Sequence, residues 1–125
     1  MISIKDTVYQ TLRKVCENVS DVTVSDLSVL RFIRFLEEEN KVNEWTDNKE
    51  QSTYVRYRID LWDEADTTSL ALAVDRQMTQ EIGLVRMQCI DVADPLGIKQ
   101  KTIRFEGILT KNANDDIEVY HKEKE

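Results

Sequence analysis

The chain has 125 residues, with 17 Lys and Arg against 24 Asp and Glu, a net charge of −7, and 41% hydrophobic and 33% charged residues. That supply makes one core and one domain, and with only 3 Gly and 1 Pro it excludes disordered, collagen-like and low-complexity chains. No apolar run approaches the ~20 residues of a membrane-spanning helix, no leader pattern opens the chain, and the acidic balance argues against holding a nucleic acid by its phosphates, so a cytoplasmic protein away from membranes is expected.

Ile4, Val8, Leu12, Val15 and Cys16 form one helical stripe, with Ser3 or Asp6 available as its cap. Asn18 to Asp21 breaks that pattern, and Val22 to Asp26 reads as a connector. Leu30 to Leu36 reads as a strand with apolar side chains on both faces. A short helix over Asp26 to Phe35 is the competing reading. The segment 37–52 is polar, with six carboxylates against Lys41 and Lys49, and only Val42 and Trp45 are apolar. It is expected to be a long acidic loop or hairpin arm, mobile in the free subunit.

Thr53 to Leu61 is the clearest strand: Val55, Tyr57, Ile59 and Leu61 alternate with Tyr54, Arg56, Arg58 and Asp60. A second helix follows, capped by Asp66 or Thr67, with Leu70, Ala73, Val74, Met78 and Ile82 on its buried stripe and Gly83 at its stop. Leu84 to Ile90 and Lys99 to Leu109 are two more strands, joined by a turn around Pro95 and Gly97. Ile117, Val119 and Tyr120 leave room for a short extra strand in the polar tail.

The expected fold is therefore α+β, of order α-β-β-α-β-β. It is a mostly antiparallel four-stranded sheet with two helices on one face. Residues 1–110 make the domain, the acidic loop spans 37–52, and 111–125 are a polar tail.

Chemistry is sparse. Cys16 and Cys89 read as buried free thiols, since the lone histidine, His121, lies in the tail. Consecutive glutamates on an extended chain point to opposite sides, so Glu37, Glu38 and Glu39 read as solvated charge, as do Asp91 and Asp94. No catalytic residue, metal site or cofactor is expected; an unrecognised metal-dependent enzyme is the rival class. Arg56, Arg58 and Arg104 lie on polar strand faces, either in cross-strand pairs with carboxylates or at a subunit interface. With Glu38, Glu39 and Trp45 they are the candidate interface residues, an acidic arm and a basic face that could meet between subunits.

The stretch Tyr54-Val-Arg-Tyr-Arg-Ile-Asp-Leu-Trp-Asp-Glu-Ala-Asp66, with Leu70 to Met78, Gly83 to Cys89, Asp94-Pro-Leu-Gly97 and Lys101 to Gly107, resembles minor tail proteins of Gram-positive prophages. More broadly it is similar to the tail completion, or tail terminator, proteins of long-tailed phages. The resemblance implies a non-enzymatic structural protein that assembles as a ring, commonly a hexamer, from subunits that can be monomeric alone. Such a ring caps the tail tube, joins it to the head connector and lets DNA pass without specific binding. It implies a place in the host cytoplasm during assembly and then in the virion tail. Another head–tail connector or tail-tube component is the structural alternative.

Overall fold

A computed structural model describes residues 1–21, 31–93 and 97–120. Two helices are present among them, α1 (Lys5–Arg13) and α2 (Thr67–Arg76), the second prolonged by a π-helical turn (Gln77–Ile82). The strands are β1 (Val19–Asp21), β2 (Phe32–Thr46), β3 (Lys49–Asp63), β4 (Val85–Val92), β5 (Lys99–Lys111) and β6 (Ile117–Val119). They form one sheet in the order β1-β2-β3-β5-β4, with β6 also paired to β5. β1 runs parallel to β2, and every other pair is antiparallel.

This corrects the expected α+β fold with a four-stranded antiparallel sheet. The molecule is mostly β, its six-stranded sheet is mixed, and its two helices are short. The missed strand, β1, has three residues, too few for alternation to show in sequence. The segment 37–52, expected as a long acidic loop or hairpin arm, is a hairpin, continuous strand on both sides of a two-residue turn. Asp47 (φ 53°) and Asn48 (φ 60°) close that turn in the left-handed region, as a type I′ hairpin requires. The tail contains β6, which bonds Leu109 to Lys111. The alternative helix and the connector fall partly or wholly on residues 22–30, outside the described residues.

One face of the sheet carries the core. Val55, Tyr57, Ile59 and Leu61 on β3 are fully buried, together with Ile33 and Phe35 on β2 and Ile103 and Phe105 on β5. Val8 and Leu12 of α1 and Leu70 and Val74 of α2 pack into the same cluster. The two-residue and helical periodicities of the sequence thus converge on one apolar layer. Gly107 sits where a Cβ would come within 2.6 Å of Leu84 Cδ2, so a side chain there would press on a buried leucine.

The ends of α2 follow the sequence signals. Asp66 Oδ1 accepts from the N–H groups of Thr68 (2.9 Å) and Ser69 (3.2 Å). Gly83 (φ 92°) and Leu84 both donate their N–H to the Met78 carbonyl. α1 differs: its N-cap is Ile4, without a side-chain cap, while Ser3 Oγ accepts from Lys5 N–H at 3.3 Å.

Candidate functional site

The second face of the sheet is built from the other half of each alternation. Tyr54, Arg56, Arg58 and Asp60 of β3 lie opposite Ile108, Glu106, Arg104 and Thr102 of β5. On β2, the register shifts between Glu37 and Glu39. That bulge changes what the sequence led us to expect of the glutamates. Regular pleating would send neighbours to opposite faces, but the extra residue lets Glu38 and Glu39 both reach Arg56.

The result is a charged lattice within one chain. Glu38 Oε1 lies 3.0 Å from Arg104 Nε and 3.4 Å from Arg56 Nε. Arg56 Nη2 lies 3.1 Å from Glu39 Oε1. Arg34 reaches Asp60 Oδ2 through Nη2 (2.5 Å) and Nε (3.0 Å), and Arg58 Nε stands 3.3 Å from the same oxygen. Thr102 Oγ1 donates to the other oxygen at 2.8 Å. Asp60, at 2% exposure, is thus a buried carboxylate hydrogen-bonded by Arg34 and Thr102, with Arg58 beside it as an ion pair whose buried Nε has no hydrogen-bond partner. The Tyr54 hydroxyl donates to Glu106 at 2.6 Å, which raises the phenol's titration because ionising it would break that bond and set like charges together. Arg34 also lies over the Trp62 ring, which meets Phe32 edge-on.

Five of the six candidate interface residues, Glu38, Glu39, Arg56, Arg58 and Arg104, are therefore brought together, but as partners in the same chain. The supposed acidic arm and basic face already meet within one subunit. Arg34 and Asp60 complete the lattice and were not singled out by sequence. The polar half of the β3 alternation was their signal, but cross-strand register was needed to pair them.

Trp45 stands apart. β3 pairs with β5 only from Ser52 onward, so 43–51 continue past the sheet as a two-stranded ribbon. Trp45 is 59% exposed there, against 6% for Trp62, and Val42, just before the ribbon, is also exposed. An aromatic of that size held out on a ribbon fits a partner contact.

The cysteines divide. Cys16 is buried, burial pushes its thiol up, and Sγ donates to the Arg31 carbonyl at 3.3 Å, an inert arrangement. Cys89 is exposed on β4, contrary to the expected burial, because β4 forms the rim of the sheet and is exposed from Val85 to Asp91. Both are free thiols. Among the described residues no three His, Cys, Asp or Glu side chains converge to hold a metal; Asp94 and His121 lie outside them. Beside the start of α2 is an open hollow lined by Asp66, Thr67, Asp91 and Lys101. Asp91 holds the Lys101 ammonium there at 2.5 Å and raises its titration. Among the described residues no helix is long and apolar enough to cross a membrane. No known protein family matches the chain, and no curated protein does either.

Proposed function

We propose that this chain is a structural subunit of a phage or prophage tail, of the tail-completion or terminator type. In this reading it self-associates into a ring, caps the tail tube and contacts the head connector. The observation that carries the reading is the ribbon at 43–51, which runs beyond the last β3–β5 pair and holds Trp45 exposed near its tip. A ring needs a heterologous contact, in which one patch meets a different patch on the neighbour. A projecting aromatic arm supplies such a patch. The charged lattice is the poorer candidate, because its carboxylates already pair with arginines of the same chain.

Two further features agree with it. Arg34, Arg56, Arg58, Arg104 and Lys41 share their face with Glu38, Glu39, Asp60 and Glu106, and the chain carries −7 overall. A face whose cations stand beside carboxylates, on an acidic protein, gives passing DNA little phosphate-binding surface. The family resemblance of Tyr54 to Gly107 points to the same class.

Complementation of a phage lacking this gene tests the reading. The wild-type chain should restore tails of normal length joined to heads, seen by electron microscopy. Trp45→Ala should fold as the wild type does but leave heads unjoined or tails of abnormal length. Full restoration by Trp45→Ala would remove the arm from the argument, and failure of the wild type to complement would remove the function.

A further inference from the structure

β4 forms the outer rim of the sheet beyond β5, and among the described residues no strand pairs with its other edge. A free edge offers a row of unused N–H and C=O groups, which proteins commonly protect with proline or lysine. β4, Val85-Arg-Met-Gln-Cys-Ile-Asp-Val92, has neither. It exposes Val85 (59%), Met87 (52%) and Ile90 (45%). Its one irregularity is a bulge between Arg86 and Gln88.

The strand is complementary to its own reverse. Laid antiparallel against a second copy, with Met87 taken up by the bulge and the two-fold axis at Cys89, Val85 meets Val92, Arg86 meets Asp91 and Gln88 meets Ile90. Symmetry makes each pair twice. The faces agree as well. Val85 and Val92 stand opposite Glu106 and Gln100 of β5, on the lattice side, while Arg86 and Asp91 stand opposite Phe105 and Lys101, on the helix side. Arg86 is 51% exposed and Asp91 81% exposed at their side chains, so both can reach across while keeping Asp75 and Lys101 as neighbours. Gln88 and Ile90, opposite Arg104 and Thr102, share the lattice side, and the bulge at Met87 is what lets these pairs and the Arg86–Asp91 pairs each keep to one face. Other arrangements lose this match. A parallel pairing in register sets Arg86 beside Arg86 and Asp91 beside Asp91, and a two-residue slip separates Arg86 from Asp91.

We propose that two copies of this chain pair edge to edge through β4, as an antiparallel two-fold dimer fixed in register by two Arg86–Asp91 pairs. An isologous contact closes at two copies. It is therefore distinct from a ring contact and does not depend on the tail function.

Analytical ultracentrifugation of the full chain across a concentration series is the test. The 14.6 kDa protein should approach twice that mass as concentration rises. Arg86→Asp should weaken the dimer roughly tenfold or more, by setting like charges opposite each other twice. Asp91→Arg should do the same. The double variant Arg86→Asp/Asp91→Arg should restore pairing, which lost packing or lost folding could not produce. A short bis-maleimide should link Cys89 to Cys89 near the axis in the wild type, and Ile90→Lys should abolish that link. A monomer at every concentration, or a dimer that neither Arg86→Asp nor Ile90→Lys weakens, would overturn the proposal.

Discussion

Asp60 and Asp63 lie three residues apart on β3 and do different work. Asp60 gathers Arg34, Arg58 and Thr102 where water scarcely reaches it, so its removal leaves two guanidinium groups without their counter-charge. Asp60→Ala should cost about 2–3 kcal/mol, read as a lower urea midpoint at unchanged slope. Asp63 shapes the turn into α2. Burial opposes its charge, but the Ala65 N–H, the Arg31 guanidinium and the Asp66 N–H outweigh that and hold its carboxyl below the ordinary range. An unfolded aspartate titrates near ~3.9. Between the folded value and that one the unfolded chain binds more protons, so stability rises with pH. The contribution is complete above about pH 5 and is lost as pH falls through the folded value. Urea melts from neutral pH into acid should therefore fall less steeply for Asp63→Asn than for the wild type.

At the scale of elements, legibility followed burial. β3 was plain because its apolar half is fully covered while its polar half is not, and α2 because Asp66 and Gly83 punctuate it. Leu70→Ala or Ile59→Ala should cost roughly 2–5 kcal/mol by leaving a cavity in that layer. The long hairpin was harder to read. From Glu37 onward β2 is held by backbone pairing and polar contacts, such as Asn43 to Ser52 at 2.9 Å, and neither leaves an apolar rhythm. Cys89 misled for the converse reason: β4 has strand composition, but its position at the rim cannot be seen from its own residues. A ribbon without a third strand is marginal by itself. Amide hydrogen exchange across 43–51 should thus be much faster than across 55–61. Equal protection in the two stretches would mean that the arm is anchored in the free subunit.

For the whole molecule, the decisive question about the charged face is whether its pairs act within a chain or between chains. Individual basic and acidic positions were visible in sequence, but their pairing depended on the Glu37–Glu39 bulge and the β3–β5 register, both set by the full sheet. The two cases separate experimentally. A contact between subunits weakens on dilution, whereas a pair inside the chain does not. A double-mutant cycle on Glu38→Gln and Arg104→Gln should give a coupling of about 0.5–1 kcal/mol, since both side chains are still partly in water. That coupling should be the same at every protein concentration and should shrink with added salt, because such charges are screened within about 10 Å at 0.1 M. It should also persist in Trp45→Ala, whose change lies out on the ribbon. If the coupling instead vanished on dilution, Glu38 and Arg104 would be meeting across subunits, and the charged face rather than the arm would be where the assembly is made.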